Sequence, residues 1–195
     1  LNPDAPMKDS GVEWLGEVPE HWEVVKLRYL CEIGTGSKDT QDADANGDYL
    51  FYVRSQTPSR INTYTYDCEA ILTAGDGVGV GKVFHYVNDK FDAHQRVYVL
   101  NSFRLIHAKL LFYYIRVFFR RAALTGDAKS TVDSVRRHML TNFPVPIPPR
   151  QEQEELLSKI EWQESNLDYP ENQAGKLISL LQERRSALIS AAVTG

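Results

Sequence analysis

An α/β (α+β) domain with a mostly antiparallel or mixed sheet and flanking helices, followed by a long coiled-coil-forming helix, is the fold class the sequence predicts. Three observations predict it. Short β-rich runs alternate with Gly, Asn and Asp from Glu23 to about Val99. Apolar residues then recur at three-and-four spacing between Phe103 and Leu124. Finally, a narrow apolar seam follows a proline-rich stretch at Phe143–Pro149.

Residues 1–23 are rich in Trp, Pro and acid, and Gly11–Trp22 has neither helical nor strand period. They read as an extended arm that docks by its aromatic rings. The runs Glu23–Leu30, Tyr49–Val53, Glu69–Thr73, Lys82–Tyr86 and Val97–Leu100 supply the strands. Leu110, Leu111, Tyr114, Ile115, Phe118 and Ala122 share a helix face, and Gly126 stops that helix. Its Arg116, Arg120 and Arg121 either face DNA or form an ordinary solvated face. Phe143-Pro144-Val145-Pro146-Ile147-Pro148-Pro149 cannot be regular helix, because proline lacks the amide donor and pushes its predecessor toward extended geometry. It marks a boundary, so the expected domains are 1–23, 24–149 and 150–195. After it, Gln151-Glu152-Gln153-Glu154-Glu155 sets carboxylates in a first helical turn, where the helix dipole favours them. Leu156, Ile160 and Leu167, then Ile178, Leu181, Leu188, Ile189 and Ala192, form a seam that requires a partner helix.

A chain of 195 residues, 43% hydrophobic and 25% charged, is long enough for one ordinary domain plus an appendage. The longest apolar run, Leu110–Phe119, is broken by Arg116 and closed by Arg120 and Arg121, too short and charged for a bilayer. The first residues lack the basic start and apolar stretch of a secretory signal, so the expected compartment is the cytoplasm, with no membrane partner. Cys31 and Cys68, without C-x-x-C spacing, read as small buried apolar residues, not as a disulfide or zinc pair.

A net charge of −4 looks wrong for a nucleic-acid binder, but its distribution decides the matter. Residues 1–23 carry one Lys against six acids, 24–149 sixteen Lys and Arg against twelve acids, and 150–195 five against eight. A basic middle between acidic ends suits a domain that meets DNA while its ends meet protein.

Catalytic and metal signatures fail one by one. Gly75-Asp76-Gly77-Val78-Gly79-Val80-Gly81-Lys82 resembles a phosphate cradle, but Asp76 and Val83 stand where a P-loop needs Gly and Ser or Thr. Val80 likewise replaces the last glycine of G-x-G-x-x-G. A tight glycine turn, able to lie against a DNA backbone through Lys82, is preferred. Asp42-Ala43-Asp44-Ala45-Asn46-Gly47 copies half a calcium loop, yet Val53 holds the place of its bidentate Glu. None of the five histidines has ligand spacing, and no nucleophile elbow or amino-methylating motif is present. No catalytic residue, bound cofactor or metal is expected on this chain.

Three segments together resemble the DNA specificity subunits of type I restriction-modification systems. They are Lys8–Val24, which is similar to the family's approach into a target recognition domain; Phe143–Gln153, similar to its passage into the spacer helix; and Leu180–Gly195, similar to the end of that helix. The resemblance implies a recognition domain that reads one half of a split duplex site. It also implies a helix that spaces the halves and anchors modification and restriction subunits, with S-adenosylmethionine, Mg and ATP bound by those partners. Family members usually carry two such domains and two helices. The chain is therefore expected to be a natural half-subunit, pairing with its own copy through the helix, or a fragment of a longer subunit. A self-pair predicts inverted, identical half-sites. Pro170 costs about 3 kcal/mol inside a helix, so a kink is expected there.

Base edges call for Arg or Lys on guanine and Asn or Gln on adenine, with Ser and Thr serving either bases or phosphates. Four polar loops offer them: Ser37, Lys38, Thr40 and Gln41; Arg54, Ser55 and Gln56; His94, Gln95 and Arg96; and Lys129, Ser130 and Thr131. Arg54 and Arg96 are expected on guanine, and Lys38 on phosphate. The competing reading is a protein-interaction module with a coiled-coil arm.

Overall fold

The computed structural model describes residues 4–77, 79–125 and 134–166. The chain divides into two compact units, Leu1–Gln153 and Glu154–Gly195. Within the first, ten strands and two helices run in the order β1 (Met7–Asp9), β2 (Glu17–Pro19), β3 (Glu23–Lys26), β4 (Glu32–Thr35), β5 (Tyr49–Tyr52), β6 (Ser59–Ile61), β7 (Tyr66–Ala74), β8 (Phe84–Ala93), β9 (Val97–Asn101), α1 (Ala108–Thr125), α2 (Arg137–Thr141) and β10 (Pro144–Ile147). A further helix, α3, is described over 150–166. The mixed α+β architecture agrees with the first part of the predicted class; the remainder of the expected long helix, with the kink at Pro170, lies outside the described residues.

Six strands form one sheet in the order β4-β9-β7-β8-β5-β6, antiparallel except for the parallel pair β5 and β8. This sheet cannot be flat. The register sets Ala74 of β7 opposite Val97 and Tyr66 opposite Phe91, so on a flat sheet Ala93 and Val97 would lie roughly 30 Å apart along the strands. The chain between them reaches at most about 14 Å. The strands must therefore curl, and a parallel bridge from Lys38 to His94 joins the segment after β4 to the end of β8. Inside the curl, Ala70 and Leu72 of β7 pack with Tyr52, Val87, Phe91, Ala93, Val97 and Val99. The other face of β7 and β8 meets α1, where Phe84 lies 6.1 Å from Phe119 and Tyr86 5.9 Å from Phe112, centroid to centroid.

Helix α1 forms because its apolar residues recur on one stripe. Leu110, Leu111, Ile115 and Phe119 are buried, each contributing about 1.5–3 kcal/mol by leaving water. Tyr114 and Phe118 turn toward a second contact. There Trp14 stacks on Phe143 at 5.7 Å and lies 6.0 Å from Phe118, while Phe119 packs edge-on to Phe143 at 5.4 Å.

Two segments differ from expectation. The N-terminal arm docks by its rings, but it contains the hairpin β1–β2. The proline run, expected as a boundary, includes strand β10, which pairs antiparallel with β3. Prolines are tolerated there because this sheet has two strands and β10 has a free edge; Pro144 and Pro146 alternate with Val145 and Ile147, which keep their amides. Strands β4 and β6 and helix α2 were not foreseen.

Gln153 is 1% exposed, and its side chain makes three hydrogen bonds. It accepts from the His107 amide at 2.9 Å and donates to the Leu105 and Pro148 carbonyls at 2.8 Å each. Leu105 has φ +64°, a left-handed conformation costing a leucine about 1–2 kcal/mol, and Gln153 holds the carbonyl of that strained residue. Cys31 is buried, and burial pushes its thiol up to about 12, which makes it inert at neutral pH. Among the described residues no helix is long and apolar enough to cross a membrane.

Candidate nucleic-acid interface

The curl brings four connections to one end of the sheet: residues 36–42 after β4, 53–58 after β5, the glycine turn 75–82 between β7 and β8, and 94–96 between β8 and β9. Backbone hydrogen bonds lock them together. Lys38 N–H donates to Ala93 O at 3.3 Å, Gln95 N–H to Lys38 O at 2.9 Å, His94 N–H to Tyr52 O at 3.0 Å and Gly75 N–H to Arg96 O at 2.8 Å. Two glycines permit the approach. A Cβ at Gly36 would collide with the Ala93 carbonyl, and one at Gly79 would stand 2.6 Å from the Arg54 carbonyl oxygen.

At the centre lies Asp76. Its Oδ1 accepts from Arg54 Nη1 at 2.7 Å and its Oδ2 from Arg96 Nη1 at 2.9 Å. Two loops are thereby held on one carboxylate of a third. Burial pushes the Asp76 carboxyl up, but the hydrogen bonds from Arg54 and Arg96 outweigh it and hold the group below its ordinary range. Beside this cluster, Gln95 Nε2 donates to Asp39 Oδ2 at 2.9 Å. Asp39 in turn caps the 3₁₀ turn Thr40–Asp42, so Thr40 and Gln41 are presented on an ordered turn.

Of the residues singled out by sequence, Ser37, Thr40, Gln41, Arg54, Ser55, Gln56, Lys82, Gln95 and Arg96 are exposed, and all stand on these four connections. His94 is corrected: it is 4% exposed, and its Nδ1 accepts from the Arg96 amide at 3.0 Å. It braces the turn from inside, because the curl of β8 draws it under the strand ends. Burial and, second, the Arg54 charge lower its pKa, so the ring is neutral at pH 7. His85 is lowered as well, by burial, and its Nε2 bonds the Ser55 carbonyl at 3.0 Å. Lys38 is half-buried, with its ammonium 4.0 Å from Asp92, a fully buried carboxylate that also accepts from Thr63 Oγ1 at 2.7 Å. That orientation departs from a pure phosphate contact. Lys129, Ser130 and Thr131 lie outside the described residues, as do Leu167, Ile178, Leu181, Leu188 and Ile189 of the seam; Leu156 and Ile160 fall on α3.

Sequence reasoning missed Asp76 and Asp92. Asp76 was noticed as the residue that spoils a P-loop, and nothing local ties it to Arg54 or Arg96, some twenty positions away on either side. Arg120, offered by the sequence as one of three arginines of α1 able to face DNA, adjoins the glycine turn: a Cβ at Gly81 would lie 3.8 Å from Arg120 Cβ. Arg120 therefore extends the basic surface onto the helix. The calcium-like turn spends its oxygens internally, with Asp44 accepting from the Asn46 amide at 2.9 Å and from Asn62 Nδ2 at 2.6 Å.

Comparison with known proteins gives one family. Residues 19–167 match the profile described as type I restriction modification DNA specificity domain. The chain is 28% identical over 180 residues to the type I restriction enzyme EcoDI specificity subunit of Escherichia coli, covering 92% of this chain and 39% of that protein. Its fold is similar to the crystal structure of a type I restriction-modification S subunit from M. genitalium, with TM-score 0.63 and 17% identity over 76% of this chain and 40% of that one. It is also similar to the HsdS subunit of Thermoanaerobacter tengcongensis, with TM-score 0.58 and 16% identity over 82% and 40%. The chain thus spans about two fifths of the length of these relatives.

Proposed function

The chain belongs to the type I restriction modification DNA specificity domain family, and from that premise we propose that it reads one half of a bipartite duplex site for a restriction-modification complex without doing chemistry itself. The observation that carries this reading is the convergence of Arg54, Arg96, Gln95 and Gln56, from connections far apart in sequence, at one end of the curled sheet. Side chains with forked donors and amides, held on ordered loops, are what groove recognition requires. Lys82 and Arg120, flanking the cluster, supply phosphate contacts that fix register without carrying sequence information.

Methylation and cleavage fall to modification and restriction subunits, with S-adenosylmethionine, Mg and ATP bound there. The charge pattern supports such a division, since the basic middle lies between acidic ends. The seam from Leu156 and Ile160 through Ile189 supports pairing of the arm with another helix, either a second copy or a second arm of a longer protein. A pair of copies would read inverted, identical halves.

Selection from a randomised duplex library, with the protein assembled on its modification subunits, tests the reading. Enrichment of a bipartite motif is expected. Arg54→Ala or Arg96→Ala should then weaken binding by about 1–3 kcal/mol and relax one position of that motif. A module that binds only protein would enrich nothing.

A further inference from the structure

We infer that Asp76 determines specificity at this interface: by holding Arg54 and Arg96 on a single carboxylate it reserves them for base edges and suppresses their use as phosphate contacts. The inference rests on the DNA reading above and concerns how the site discriminates between sequences.

Each arginine donates one Nη1 to Asp76, at 2.7 Å and 2.9 Å. A guanidinium has five N–H donors, so each keeps a second terminal nitrogen and Nε for a ligand. The side chains remain 41% and 59% exposed, against 29% for Asp76, so the carboxylate lies beneath and the guanidiniums above it. Asp76 itself is well braced. It bridges to Ser134, and the neighbouring Gly75 accepts from the Val135 amide at 2.7 Å while donating to Arg96 O. Gly79, three residues on, abuts the Arg54 backbone. Arginine rotamer freedom normally lost on binding has thus been lost on folding, which favours a partner of fixed geometry such as the O6 and N7 atoms of guanine.

Charge points the same way. Two guanidiniums and one carboxylate amount to one positive charge, which halves the counterion release available from phosphate contacts. A carboxylate beside the ligand also repels phosphate, wherever along the duplex the protein sits. The same device recurs next door, where Asp39 from a neighbouring loop holds Gln95 Nε2. Carboxylates at a DNA interface therefore lower affinity for every sequence while fixing the side chains that recognise one.

The test uses the protein assembled with its modification subunits. The probes are the duplex selected by the unaltered assembly and a scrambled duplex of equal length, titrated across a salt series. Asp76→Asn should weaken the selected duplex by about 10- to 100-fold. It should tighten the scrambled duplex several-fold, with a salt slope steeper by roughly one unit. An equal loss on both duplexes, or a ratio of affinities changed by less than about twofold, overturns the inference. Arg54→Lys and Arg96→Lys provide a second arm that leaves the turn intact. They keep the charge and lose the fork, so selected binding should fall while scrambled binding holds. Retained selectivity in both lysine variants also overturns it. If the unaltered assembly selects no motif, the DNA reading fails first and by a different observation.

Discussion

Where the loops gather, Arg54, Arg96 and Gln95 are held by carboxylates of neighbouring loops and stay open to solvent, whereas along α1 Trp14, Phe118, Phe119 and Phe143 hold one another by ring packing. The first region depends on direction and charge. The second depends on area and shape. Hydrogen bonds at an exposed site add little net stability but fix orientation, while buried rings add stability with loose orientation. The molecule therefore separates the side chains it holds open to solvent from those that keep it folded.

That separation is open to attack at its strongest point. Trp14→Ala removes the ring that ties the N-terminal segment to Phe118 of α1 and to Phe143, and should cost about 3 kcal/mol by denaturant unfolding. Base preference of the protein that remains folded should be unchanged. A shifted motif would mean that the ring cluster also positions the loops.

Lys38→Ala probes a residue on the border between the two regions. Removing the ammonium takes away the cation 4.0 Å from the fully buried Asp92; because the Lys38 side chain is itself 28% exposed, the expected loss of stability is about 2 kcal/mol, below that of a fully buried pair. A variant as stable as the original, with uniformly weaker DNA binding, would restore Lys38 to the phosphate role expected from sequence.

The smallest effect is a pH slope at the loop end. Burial lowers the pKa of both His85 and His94, so the fold favours their neutral forms and the unfolded chain takes up protons first on acidification. Their contribution is complete above the ordinary histidine value near 6.5 and is lost as pH falls below it, through the folded values. Denaturation midpoints should therefore decline between about pH 7 and about pH 5, and ring resonances should place both histidines below 6.5. A histidine titrating above 6.5 would mean that the loop base is wetter than its packing indicates.

The same contrast explains what was legible in the sequence. Helix α1 was visible because its period is local, and Trp14 was visible as a docking ring because an exposed tryptophan in an acidic arm needs a surface. Long strands such as β7 carried enough branched and aromatic residues to be found. Among the strands of three or four residues, β3 and β5 were found but β4, β6 and β10 were not, since their pairing lies with distant partners and β10 alternates with proline. The candidate loops were recognised by composition, and most of their residues do meet at one place. The Asp76 clamp was not legible, because its three members are brought together by the curl of the sheet, which is a property of register and not of any segment. His94 was misjudged for the same reason: polar neighbours in sequence do not reveal that a strand end folds over it.

Strand β3 near the start of the domain and strand β10 near its close lie side by side in one ladder. The polypeptide consequently leaves the body between β3 and β10 beside the place where it entered it. A body attached in that way can be duplicated in tandem or traded for another by splicing at two adjacent points, with no rerouting of the backbone between them.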